Sequence, residues 1–257
     1  VGSRTGAIVR KEARESVWKL LLAGLLLIVV GASLGPMYGL LGSLLPPGVL
    51  EMLPEWLKGP LMQQIHSYNI YIWANWYGKN LYQMLTLFSV VFGAGLLAGE
   101  VSRGTAGFLF SKPVRRTQVL RTKYAVALGV LAASAVAGTL AAAIASSISG
   151  HPVDVLWFLS GLPAALAATA LLLSITLVSS VVSRDTVKAA AMAFVVFMAI
   201  SATAFVRPLR WLWVFGHMTA VRTLASGRID WAAVAGMLLA ALVFLLGAER
   251  ILVRKDI

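Results

Sequence analysis

The 257-residue chain contains no cysteine. That excludes disulfides, thiolate nucleophiles and Cys-ligated metal centres. Acidic residues are few, 10 Asp and Glu against 22 Lys and Arg. None sits at the centre of a long apolar run: Glu100, Asp154, Asp185 and Glu249 all fall at the ends of such runs. A charge at mid-bilayer costs roughly 2.5–3.5 kcal/mol on insertion scales, yet ion-coupled transporters commonly keep carboxylates there. Their absence argues against an ion-driven pump. Neither H-E-x-x-H nor G-x-S-x-G occurs, so the chain shows no signature of a zinc protease or a serine hydrolase. G-x-x-x-x-G-K-[ST] is also missing, so the chain has no P-loop and is not read as an enzyme. If it moves a cargo uphill, the energy comes from another chain. His66, His151 and His217 lie far apart and outside the apolar runs, so they are read as interfacial polar groups, and no metal site is expected.

What is present is hydrocarbon. Hydrophobic residues make up 59% of the chain and charged residues 12%, about half the usual charged share of a soluble domain. Apolar stretches long enough to cross a bilayer, which needs roughly 20 residues, recur along it. The fold class is therefore an all-α polytopic membrane protein, one transmembrane domain over 1–257. Six spans are read at about 18–38, 79–99, 119–148, 155–182, 187–206 and 231–250. The first follows a long basic lead with no A-x-A site after it, and is read as a span rather than a cleaved leader. With the N-terminus in the cytoplasm, sixteen of the 22 Lys and Arg residues fall in inner segments. The positive-inside rule then places both termini in the cytoplasm. The net charge of +12 is spread over short loops, which points to orientation rather than to nucleic acid.

Two outer segments, 39–78 and 207–230, are too long for simple turns. The first carries Trp56, Tyr68, Tyr71, Trp73, Trp76 and Tyr77, which suit the membrane–water interface as anchors or as an outer lid. The second reads as an interfacial helix ended near Gly227. Residues 5–17 form a charged, helix-prone lead with Arg10, Lys11, Arg14 and Trp18, able to lie along the inner interface before the first span turns upward. Small residues recur every fourth position in the third span, at Gly129, Ala133, Ala137, Ala141, Ala145 and Ser149, and G-x-x-x-G frames occur at Gly31/Gly35 and Gly95/Gly99. Such ridges let helix backbones come close. Pro163 should kink the fourth span or make its start irregular.

The loop after the second span, "GEVSRGTAGFLFSKPVRRTQVLRTKY", holds more than a connector needs. Glu100 ends the span, Gly104 breaks the helix, and Thr105 can cap a new short one. Pro113 cannot continue that helix but suits the start of the next. A short helix at about 104–113 would thus expose Phe108, Leu109 and Phe110 on the inner face, between Arg103 and Lys112, Arg115 and Arg116. Such a patch can dip into lipid or fill a groove on a cytoplasmic partner.

The run Glu100, Gly104, Thr105, Leu109, Pro113, Val114 and Arg116 resembles the E-x-x-x-G-T-x-x-x-L-x-x-x-P-[VI]-x-R segment of type-2 ATP-binding-cassette (ABC) permeases. The six-span layout and the "ASGRIDW" before the last span fit the same family, in a NosY-like and drug-export branch. The resemblance implies a permease, likewise without catalytic residues, paired with a second permease subunit as a homodimer in a prokaryotic cell membrane. Two cytoplasmic ATPase subunits would bind beneath it and carry the ATP and Mg, so no cofactor is expected on this chain. The 104–113 helix would be the coupling helix, with Phe108, Leu109 and Phe110 docking and Arg103, Arg115 and Arg116 gripping. Residues 5–17 would be the elbow helix. An extracytoplasmic partner would go with the alternative, a mechanical or assembly role without transport. Membrane lipid is a partner on either reading; nucleic acid is not. Departures at Phe110 and Lys112 leave the docking contacts open.

Overall fold

A computed structural model describes residues 2–44, 54–104 and 115–254, and every regular element among them is helical. The centre is α8, Leu162–Val182, preceded by the one-turn α7, Val155–Leu159. Its sequence is apolar or small on all sides, and a helix of that kind has to be buried all round. Of the apolar window in Val155–Val182, 83% is buried, against 17% in Thr186–Phe205 and 22% in Trp231–Arg254. The hydroxyls on α8 cost little because most bond back to their own helix: Thr169 to the Ala165 carbonyl at 2.7 Å, Ser174 to Leu171 at 2.8 Å, Thr176 to Leu172 at 2.9 Å.

Against α8 pack α12 (Trp231–Arg254), α9 (Thr186–Ala202) and α6 (Arg116–Ile148), together with the helix over Tyr82–Gly95, and α1 (Gly2–Leu44) lies along α6. Among the described residues, five helical stretches are long and apolar enough to cross a membrane: Val17–Leu40, Arg116–Ile148, Val155–Val182, Thr186–Phe205 and Trp231–Arg254. Helix starts are set by side chains. Asp154 accepts from the Leu156 and Trp157 amides, Asp185 from Lys188, and Asp230 from Ala233. The expected irregularity before Pro163 is present: α7 stops at Leu159, and α8 starts after a turn with the proline in its first turn.

The second crossing differs most from the expected single helix over 79–99. The chain is helical from Tyr68: α3 (Tyr68–Asn75), a π-helical turn (Trp76–Leu81) and α4 (Tyr82–Gly95) follow without a gap. The helix then breaks at Leu96–Leu97, and α5 (Ala98–Ser102) restarts it. The widened turn is stabilised locally, since the Asn80 amide donates to the Asn75 carbonyl five residues back, at 2.7 Å. Of the aromatics expected at the lipid interface, Tyr71, Trp73, Trp76 and Tyr77 are instead core, and Tyr68 is half-buried. Trp73, Trp76 and Tyr77 are all at most 1% exposed. Each polar tip has a partner: Trp73 Nε1 donates to the Thr219 carbonyl, Trp76 Nε1 to Thr139 Oγ1, and Tyr77 Oη to the Phe158 carbonyl. Burial is tolerable for Trp and Tyr on that condition. Tyr77 sits against the turn between α7 and α8, where a Cβ on Gly161 would lie 2.6 Å from its ring.

The small-residue frames are also partly reassigned. Gly31 and Gly35 do serve close packing: a Cβ on Gly31 would lie 2.4 Å from the Gly138 carbonyl oxygen, and one on Gly35 2.7 Å from that of Ala145. The facing side of α6 is therefore Gly138, Ala142 and Ala145. Gly129 and Ala133 are exposed, while Ala137 and Ala141 are half-buried beside the contact. Gly95 and Gly99 do not form one ridge, because the Leu96–Leu97 break separates them, and a Cβ on Gly95 would meet nothing. The close approach is at Gly93, where a Cβ would lie 2.8 Å from the Thr176 side chain.

Helix α1 runs unbroken from Gly2 to Leu44, without the turn expected between an interfacial lead and the first span. The outer segment 207–230 is not one helix. It comprises a 3₁₀ turn (Arg207–Leu212), α10 (Val214–Met218) and α11 (Val221–Ser226), the last ended by Gly227 at φ 67°.

Candidate functional site

At one end of the bundle, the inner one by the Lys and Arg count, the chain leaves at Gly104 and returns at Arg115. Before that exit, the break at Leu96–Leu97 frees backbone donors inside the protein. Ser180 of α8 takes them: its Oγ accepts from Leu97 N at 3.0 Å and Ala98 N at 2.9 Å, and donates to the Ala94 carbonyl at 2.8 Å. One hydroxyl thus closes the cut ends of α4 and α5 against the central helix, as buried backbone groups require.

Helix α5 then presents Glu100 inward. Its carboxylate lies 3.0 Å from Lys123 Nζ on α6, with Arg103 at 3.9 Å. Glu100 is 8% exposed and Lys123 5%. Two charges this deep are retained only if paired, because each alone would carry a desolvation penalty of several kcal/mol. The pair therefore fixes α5 to α6, which are the two ends of the loop. Gly104 follows at φ 71°, a conformation that suits glycine and turns the chain out of the helix. On the return, Arg115 is extended and α6 begins at Arg116. Two residues before Lys123, and so on the other, exposed side of α6, Arg121 grips Glu249 of α12 through both Nε and Nη2, the latter at 2.7 Å. The inner ends of α5, α6 and α12 are thereby linked by two ion pairs.

Among the expected docking residues, Glu100 and Arg103 meet at this junction, Gly104 follows them, and Arg115 and Arg116 stand at the start of α6. Thr105, Phe108, Leu109, Phe110, Pro113 and Val114 lie outside the described residues, as does most of the expected 104–113 helix. In the lead segment only the backbone is described at Arg10, Lys11 and Arg14; Trp18 is 57% exposed. Lys123 and Glu249 were not picked out from sequence as site residues. The signal for Lys123 was its helical spacing: it lies on the α6 face that carries Leu120, Ala127 and Leu131, which are all buried.

At the outer half, a cavity of about 680 Å³ opens between α4, α9 and the segment 204–219. Its wall is mostly apolar, with Phe197, Met198 and Phe215 among the lining groups, and Gln83, Thr86, Ser201 and Thr219 supply uncharged polar atoms. His151 packs on Tyr68 and Tyr38 near the outer ends, while His217 contacts the Trp211 carbonyl, so the histidines do not converge. No group of three or more potential metal ligands occurs among the described residues.

A family model described as "ABC-2 family transporter protein" matches residues 6–256. No curated protein matches the chain.

Proposed function

Because the chain belongs to the ABC-2 transporter family and is a multi-pass permease that associates with an ABC ATPase subunit, we propose that it forms the translocation path of an exporter driven through the loop between Gly104 and Arg115. Two ATPase subunits carrying ATP and Mg would sit beneath a homodimer of this chain in a prokaryotic cell membrane. Phe108, Leu109 and Phe110 enter a groove on the ATPase, and the arginines around them add charge complementarity.

The observation that supports this reading most is the Glu100–Lys123 pair. A loop that only reverses the chain can hang freely. Here its two ends are joined by a buried ion pair, and its start is held to the central helix by Ser180. A push on the loop therefore moves α5 and α6 together. Such a rigid connection is what force transmission from a separate motor needs. The 680 Å³ cavity, apolar with uncharged polar groups, suits an amphipathic cargo better than an inorganic ion.

The test is Phe108→Asp in the full chain. The variant should insert normally but lose co-purification with the ATPase and lose ATP-dependent transport in vesicles. Unchanged partner binding and transport would remove the docking assignment.

A further inference from the structure

A second cleft lies at the inner end, between the first turn of α6 and the last turns of α12. It is lined by Thr117, Leu246, Glu249, Arg250, Val253 and Arg254 and has a volume of about 280 Å³. We propose that this cleft binds the phosphate headgroup of an anionic phospholipid, with an acyl chain lying along α12. The proposal rests on the chain's being a multi-pass membrane protein and goes beyond the transporter reading.

Charge is the first argument. Glu249 would repel a phosphate, but Arg121 holds it in a two-pronged pair. Arg250 and Arg254 are exposed, and among the described residues neither pairs with a carboxylate. They sit four residues apart on one helix, so both guanidinium groups reach the same cleft, where Thr117 adds a hydroxyl. Arginine suits a phosphate because its planar fork donates two hydrogen bonds at once.

The second argument is what continues from the cleft. Leu246 lies one turn before Arg250, about 6 Å along the helix. Beyond it, Val243 and Leu239 are 68% and 65% exposed. The face of α12 thus changes from hydrocarbon to paired cations over a single turn. A ligand matching it has an anionic head and a long apolar tail, which is the layout of a phospholipid. Basic clefts between helices at a membrane surface recognise such headgroups. A cytoplasmic protein would match the arginines and leave the leucine strip uncovered.

The test uses the full-length chain without nucleotide or ATPase, so it fails or succeeds independently of the transporter reading. The protein is reconstituted in equimolar phosphatidylglycerol and phosphatidylcholine, extracted in mild detergent, and its retained lipids are quantified by mass spectrometry. The wild type should retain phosphatidylglycerol at least threefold over phosphatidylcholine. The double variant Arg250→Gln/Arg254→Gln should fall to a ratio near one. Arg207→Gln/Arg228→Gln, which removes two exposed arginines of the outer segment, should keep the wild-type ratio. A wild-type ratio near one overturns the proposal, as does an unchanged ratio in the cleft variant or an equal loss in the control. If the ratio is unchanged and a separate co-purification shows that the cleft variant loses the ATPase, the cleft is a protein site instead and the lipid proposal falls.

Discussion

Lys123 is a cation where burial disfavours one, and its neighbour explains it. Glu100 accepts from it at 3.0 Å in a setting almost closed to solvent. Replacing Lys123 by Met removes the nearest countercharge of a buried carboxylate, and breaking such pairs costs about 3 kcal/mol. Thermal unfolding in detergent should show that loss. Arg121→Met should lower the melting temperature visibly less, because the Arg121 side chain is 60% exposed while its partner is buried. Equal losses would mean that the inner pair is not the tighter link. Asp230 offers a pH test at the opposite end. The Ala233 amide and then the Arg222 guanidinium hold its carboxyl below the ordinary 3.8. A carboxylate favoured in the folded state stabilises the fold above its unfolded pKa, and that contribution is lost as pH falls through the folded one. The melting-temperature gap between wild type and Asp230→Asn should therefore be full at neutral pH and narrow progressively as pH falls below about 4. A gap that does not narrow on acidification would show that the cap acts without its charge.

At the scale of elements, five of the expected spans coincide within a few residues with helices long and apolar enough to cross a membrane, because each is a long apolar run. The helix around the remaining expected span, 79–99, differs for a physical reason. Asn75, Gly78, Lys79 and Asn80 look like an outer loop, and the aromatics before them look like interface anchors. In the structure the asparagines satisfy helix carbonyls, Asn75 that of Tyr71 and Asn80 that of Asn75, while the aromatics turn into the bundle. Polarity that serves the backbone cannot be told from polarity that serves water by composition alone. The glycine frames show the same limit, since spacing names a face but not which neighbour it meets. This gives a paired test. Gly31→Ala must displace the Gly138 backbone, and overpacking of this kind costs roughly 1–3 kcal/mol. Gly95→Ala meets nothing within 4 Å and should leave stability unchanged. Melting temperatures of the two variants decide it: a comparable loss in both would contradict the reassigned packing.

For the whole molecule, the arrangement of moving and fixed parts follows from where burial is concentrated. Helix α8 is enclosed, whereas α9 and α12 keep most of their apolar windows uncovered. In a bilayer those outer faces meet lipid or another copy of the chain, and their packing can change without opening the core. The inner ion pairs join α5, α6 and α12, and α5 continues through Ser180's contact into α4. On the proposed function, displacement of the loop would be delivered to α4, which is also one wall of the outer cavity, while α9 forms the opposite wall. A ligand held there by apolar contact would feel the two walls move relative to each other. This geometry connects the loop to the cavity through one helix and makes a separable prediction. Thr86 lines the cavity from α4 and is remote from the inner junction. Thr86→Trp should occupy much of the space, because a tryptophan buries on the order of 200 Å² of surface. Transport should then fall at least tenfold, while ATPase binding and the melting temperature stay near wild type. Undiminished transport by a correctly folded Thr86→Trp variant would show that cargo takes another route through the bundle.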